Sequence, residues 1–142
     1  MILPDANLLI YAYSPRSPQH EASRLWLETV LSGIETVLLT WPTVWAFLRI
    51  TSNPNVFERP LSIQEAINVV TSWIARPNVA VVGVGNRHWE ILRTLLEDGQ
   101  CQGPLVSDAV LAAIAVEHGG VVHTTDRDFA RFGQLELRNP LQ

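Results

Sequence analysis

A chain of 142 residues, 47% hydrophobic and 17% charged with no low-complexity tract, has the size and composition of one compact domain, residues 1–142, and not of a disordered binder. All ten positive side chains are arginine, so Schiff-base lysine chemistry and a P-loop Gly-Lys-Ser/Thr are excluded. A net charge of −4 has the wrong sign for a protein that holds nucleic acid by electrostatics alone.

Apolar runs at Ile2 to Leu3, Thr36 to Leu39, Val79 to Val82 and Gly120 to His123, with a weaker one at Leu135 to Leu137, read as strands. Helical patterns lie between them. Ser17 and Pro18 predict an N-cap and first position for a helix through Leu31, stopped by Gly33. Pro42 to Thr51 reads as a shorter helix ended by Asn53 and Pro54. Ser62 and Glu65 have capping-box spacing ahead of a helix to about Ala75. Asn86 predicts the cap of another that closes at Gly99, and Leu105 to His118 forms an alanine-rich helix before Gly119 and Gly120. Alternating strands and helices of this kind predict a parallel sheet covered on both faces.

Chemistry in such sheets gathers at the carboxyl ends of the strands, where strand order reverses. Asp5 directly follows the first strand, Asp126 and Asp128 follow the fourth, and Asp108 sits in the first turn of the alanine-rich helix. Each has an ordinary explanation: Asp5 as a helix cap, Asp108 as a dipole partner, Asp126 and Asp128 as turn formers. Brought to one mouth, however, such charges repel by ~4 kcal/mol per pair at ~4 Å and an effective dielectric of ~20. A cluster of that kind calls for a cation. Oxygen-only ligands favour a hard ion such as Mg²⁺ or Mn²⁺, which can activate water and steady a transferring phosphoryl group.

The segments "MILPDANLLIYAY", "LVSDAVLAAIAVEHG" and "VVHTTDRDF" resemble, in order and spacing, the three acidic motifs of the PIN-domain ribonucleases, and among them the VapC-type toxins of toxin–antitoxin pairs. The likeness extends to "WAFLRITSNPNVF" and "FGQLELRNP" and so covers essentially the whole chain. It implies a PIN-like three-layer α/β/α sandwich on a five-stranded, mainly parallel sheet, with the first and fourth strands adjacent at its centre. It also implies metal-dependent hydrolysis of RNA phosphodiesters to leave a 5′-phosphate, with one or two Mg²⁺ (or Mn²⁺) ions bound. By the resemblance, Asp5 and Asp108 are the principal metal ligands, Asp126 and Asp128 further acidic ligands, and Asn7 and Thr124 support the site or its waters. The implied partners are an RNA substrate such as tRNA or rRNA, a small antitoxin protein and a second copy of the chain.

One departure stands out. The family usually carries a glutamate on the helix after the second strand, whereas "WPTVWAFLRIT" has no acid, with Phe47 or Ala46 at about that place. A second ion then depends on another carboxylate, such as Glu21 or Glu58, reaching in. The rival reading that follows is a catalytically inactive PIN-like interaction module. A receiver-type signalling domain is excluded by the lack of a lysine after the last strand.

Arg16, Arg24, Arg49, Arg59 and Arg127 are candidates to grip phosphate, and Arg127, between its two acids, is a candidate counter-charge for the empty cluster. "GVGNRHW" begins like a dinucleotide fingerprint but has His88 at its sixth position, and reads as a turn and helix start. The four histidines share no ligand spacing, with His123 expected as a hydrogen-bonded core residue, and Cys101 reads as a small apolar side chain. The five tryptophans are expected in the core or at an interface, and the apolar excess around Trp41 and Trp45 points to a protein partner. No apolar run approaches the ~20 residues that span a bilayer, and the chain is expected to be cytoplasmic.

Overall fold

The computed structural model describes residues 1–142. The chain forms β1 (Ile2–Pro4), α1 (Ala6–Ala12), α2 (His20–Ser32), β2 (Val37–Thr40), α3 (Trp41–Thr51), α4 (Ile63–Ile74), β3 (Val79–Val82), α5 (His88–Asp98), α6 (Leu105–His118) and β4 (Val121–His123). A short 3₁₀ helix, Arg127–Arg131, and β5 (Leu137–Arg138) follow. The five strands pair in parallel in the order β3-β2-β1-β4-β5. Chain order runs outward from β1 to β3, then jumps back so that Ile2, Leu3 and Pro4 of β1 face Val121, Val122 and His123 of β4. The reversal point, and the crevice it opens, therefore lies between β1 and β4.

Each strand residue alternates between two helical layers, which is why the strands read as unbroken apolar runs. Leu39 joins one core with Leu9, Leu27, Val44, Phe47, Val70 and Trp73, drawn from α1 to α4. Its neighbour Leu38 faces the other way, into a core with Leu92, Leu95, Ala112, Ile114 and Phe129 from α5, α6 and the 3₁₀ helix. Ala109, Ala112, Ala113 and Ala115 are fully buried in the core that α6 shares with α5 and the sheet. Asp108 rides at the start of this buried helix.

The capping box at Ser62 and Glu65 is present in both directions, and the left-handed Gly119 ends α6 at φ 70°. Two predicted caps are displaced, one by a bond within its own turn and one by a longer-range contact. The Ser17 hydroxyl bonds within its own turn, accepting from the Gln19 N–H at 3.2 Å and donating to Gln19 Oε1 at 2.8 Å. The helix then starts at His20, whose Nδ1 lies 2.9 Å from the Tyr11 carbonyl oxygen at the end of α1. Asn86 does not cap α5, because Arg87 takes that position and the Glu117 carboxylate accepts from Gly85 N–H at 2.9 Å and Arg87 N–H at 3.0 Å. A Cβ at Gly85 would sit 2.4 Å from Glu117 Oε2, so this glycine makes room for a carboxylate of the protein itself and not for a dinucleotide. β5 also falls later than the pattern suggested, at Leu137–Arg138, where it pairs with Val122 and His123.

The turn from α5 into α6 is packed tightly against the end of the 3₁₀ helix. A Cβ on Gly99 would meet the Leu95 carbonyl oxygen at 2.8 Å, the Phe132 ring at 3.0 Å and Cys101 Sγ at 3.1 Å. Cys101 is partly buried against that core, in keeping with its apolar reading. Gly99→Ala is expected to cost about 1–3 kcal/mol through overpacking against backbone that cannot withdraw. A urea titration giving an unchanged unfolding free energy would contradict this packing.

Candidate functional site

The crevice between β1 and β4 collects the acids. Asp5 directly follows β1, and its N–H donates to the His123 carbonyl at 2.9 Å, which continues the strand pairing into the site. Asp5 is the N-cap residue of α1, and the amides of Ala6 and Asn7 lie close enough to its carboxylate to favour the charged form without meeting hydrogen-bond geometry. The Thr124 hydroxyl donates to Asp5 Oδ2 at 2.8 Å and accepts from the Asp126 N–H at 2.9 Å. Asp126 Oδ1 in turn accepts from the Asp128 N–H at 2.8 Å and opens the 3₁₀ helix, so the turn-forming role read from its position is present.

Asp108, Asp126 and Asp128 each offer a carboxylate oxygen within 4.8 Å of the others. Asp5 lies outside that trio but is linked to it through Thr124 and by charge. Burial, followed by the charges of Asp126, Asp5 and Asp128, pushes the Asp108 carboxyl up to about 6, while Arg131 pulls the other way. Burial also raises Asp5, with the Thr124 hydroxyl opposing and the Asp126 charge adding to the rise. These carboxyls are confined against their electrostatic preference, and none takes part in an ion pair. An all-carboxylate oxygen set of this spacing fits a hard divalent cation and offers nothing to a soft one.

Other candidates fall elsewhere. Asn7 is exposed in the first turn of α1, and Thr124 is buried. Glu21 pairs with Arg24, and Glu58 with Arg16, so neither joins the acid cluster. Phe47 is fully buried, 4.6 Å from the Trp73 ring and 5.6 Å from Tyr13, so its side chain belongs to the helical core. Arg16 and Arg24 are committed to surface ion pairs, whereas Arg49, Arg59 and Arg127 are in none.

Arg127, expected as a counter-charge to the cluster, is in no ion pair, and the charge of Arg131 lowers the Asp108 carboxyl as the least of the influences on it. Nothing local marked Arg131, because its bonds go to backbone carbonyls distant in sequence or in its own helix. His123 is buried against the Trp26 ring at 5.8 Å, and its Nδ1 has no hydrogen-bond partner, contrary to the hydrogen-bonded expectation. Burial holds it below the usual imidazole range. Trp73 is in the core as expected, but Trp41, Trp45 and Trp89 are 44%, 63% and 66% exposed.

The profile of the PIN domain matches residues 2–135. Ribonuclease VapC33 of Mycobacterium tuberculosis (strain ATCC 25618 / H37Rv) is 37% identical over 142 residues, covering 100% of this chain and 99% of that protein. Among solved structures, Mycobacterium tuberculosis VapC20, described as a toxin that cleaves the sarcin-ricin loop, superposes with a TM-score of 0.69 at 17% identity, over 97% of this chain and 99% of the other. VapBC2 from Rickettsia felis, bound to a DNA fragment from its promoter, gives 0.68 at 16% identity over 97% and 98%. The chain belongs to the PIN-domain family, on its VapC-type ribonuclease branch.

The raised Asp108 carboxyl has a consequence for stability. A carboxyl whose folded-state pKa lies above its unfolded value binds more protons folded than unfolded, so stability falls as pH rises through that window. Without divalent ions, stability should therefore decline between about 3.8 and about 6 through Asp108. Asp108→Asn should raise the neutral-pH unfolding free energy by about 1 kcal/mol, after allowing for solvent screening of a partly exposed group. Parallel chemical denaturation at acid and neutral pH in chelator would show it, and a destabilised Asp108→Asn at neutral pH would count against the electrostatic account.

Proposed function

We propose that this chain, residues 1–142 acting as a single PIN domain, is a Mg²⁺-dependent endoribonuclease and the toxin of a toxin–antitoxin pair, working in the cytoplasm. The observation that carries the reading is the trio Asp108, Asp126 and Asp128 within 4.8 Å, with no protein cation paired to any of them. Asp5, Asp108 and Asp126 are the catalytic acids, and with Asp128 they hold one or two Mg²⁺ ions, or Mn²⁺ in their place. When bound, the ion supplies Lewis-acid polarisation of the scissile phosphate and lowers the pKa of water. In the reaction, water oxygen forms a bond to phosphorus and the bond to the 3′ oxygen breaks, leaving a 5′-phosphate and a 3′-hydroxyl.

The chain's own groups prepare that step. Thr124 fixes the rotation of the Asp5 carboxylate by donating to its Oδ2. The 3₁₀ helix presents Asp126 and Asp128 together, because the Asp128 N–H is bonded to Asp126 Oδ1. Asn7, at the exposed start of α1, supports the site or its waters. Arg49, Arg59 and Arg127, candidates to grip RNA phosphate, are free for it, being in no ion pair. A structured RNA such as tRNA or rRNA is the proposed substrate, in keeping with the sarcin-ricin loop named for VapC20.

The relative named VapC33 and the VapBC2 assembly support a small antitoxin as a protein partner. The exposed Trp41 and Trp45, one turn apart on α3, are proposed as part of a homodimer face. A second reading rests on the committed positions of Glu21, Glu58 and Phe47, which leave no further acid at the cluster. On that reading the chain is a catalytically inactive PIN-like interaction module.

Expression of the wild type and of Asp5→Ala in cells, with mapping of RNA ends, separates the two. Growth arrest and new 5′-phosphate ends that need Asp5 support the enzyme. In vitro, Asp5→Ala and Asp108→Asn should each lose at least roughly a hundredfold of cleavage, since an ion contributes several kcal/mol to such a transition state. No Mg²⁺- or Mn²⁺-dependent product from any RNA would favour the inactive module. For the dimer, light scattering should give a two-chain mass for the wild type and a one-chain mass for Trp45→Glu; a two-chain mass for the variant would remove this face from the interface.

A further inference from the structure

Two pieces of the chain must be held in register for the acid trio to exist. Asp108 arrives on α6, and Asp126 with Asp128 arrives on the 3₁₀ helix, with no strand pairing between these two elements. Arg131 spans them. Its Nε donates to the Asp128 carbonyl at 3.2 Å within the 3₁₀ helix, and its Nη1 donates to the Gly99 carbonyl at 2.7 Å in the turn that leads into α6. Beside it, Phe132 is buried and would lie 3.0 Å from a Cβ at Gly99, so the same turn is gripped by a guanidinium and a ring from consecutive residues.

We propose that Arg131 is a positioning residue for the cation site, fixing the separation of Asp108 from Asp126 and Asp128 by bridging the Asp128 and Gly99 carbonyls. The proposal rests on the reading of the acid trio as a divalent-cation site. A guanidinium suits the task because its planar fork offers donors in two fixed directions, which an ammonium on a flexible stem does not. Arg131 is in no ion pair, so no carboxylate competes for the fork.

Charge and geometry make opposite predictions here. Arg131 is a positive charge close enough to act on Asp108, so removing it should by electrostatics alone tighten binding of a dication. Loss of the bridge should instead weaken binding, because the trio no longer converges. Groups that orient metal ligands from behind typically carry roughly ten- to hundredfold of affinity.

Mn²⁺ titration of the full-length chain, followed by electron paramagnetic resonance, distinguishes the two. Arg131→Gln and Arg131→Lys are each expected to weaken Mn²⁺ binding by about tenfold or more, while circular dichroism shows a folded chain. Failure of the lysine to rescue binding shows that the fork, and not the charge, is what matters. Unchanged or tighter Mn²⁺ binding by Arg131→Gln overturns the proposal, as does full rescue by Arg131→Lys. If Arg131→Gln does not fold, Arg131→Lys alone decides by the same measure. Absence of Mn²⁺ binding by the wild type would sink the cation-site reading itself, whereas wild-type binding with undisturbed variants sinks only the role of Arg131.

Discussion

The structure depends on confining like charges at the reversal between β1 and β4. Several carboxyls there repel one another in a partly desolvated crevice, and the fold tolerates the strain because its supports are stiff. β1 is buried and paired on both sides, α6 buries its alanines in the core it shares with α5, and the 3₁₀ helix is pinned to the α5–α6 turn. A looser scaffold would let the acids move apart and lower their energy. The raised proton affinity of Asp108 is the residue of that conflict, stored until a cation or a proton resolves it.

The same principle accounts for where positive charge is placed. Arg16 and Arg24 pair with glutamates on the outer surface, where such pairs contribute little. Arg131 stands close enough to influence Asp108 yet spends its hydrogen bonds on carbonyls, so it does not occupy the carboxylate oxygens. A direct ion pair at the cluster would relieve the repulsion and block the site at once. Glu117 shows the complementary arrangement at the other end of α6, where one carboxylate is fully engaged by the amides of Gly85 and Arg87 and is held low in pKa.

Much of this architecture was legible in sequence because strand ends and helix starts are local features. Asp5, Asp108 and Asp126 could be placed by counting from apolar runs, and the Ser62 and Glu65 box and Gly119 stop lie where their chemistry requires. The contacts that escaped reading join residues far apart in the chain. Glu117 engages the amides ahead of α5 where Asn86 was expected to cap, and Arg131 reaches the Gly99 carbonyl 32 positions away, whereas the cap expected at Ser17 is lost to a bond within its own turn. Side-chain burial was similarly hidden: Phe47 and Trp45 lie on one helix, yet one fills the core and the other faces solvent. Periodicity names a helix but not which neighbour will cover each face.

The hydrogen bond from Thr124 to Asp5 joins residues 119 positions apart. Asp5 lies far from most of its site in sequence: one partner of its strand, its hydroxyl donor and two of its acidic neighbours all come from residues 121 to 128. A nascent chain on the ribosome therefore carries Asp5 with no such site around it until residues 121 to 128 have been added. The order of synthesis itself keeps this crevice unassembled while the intervening residues are being made.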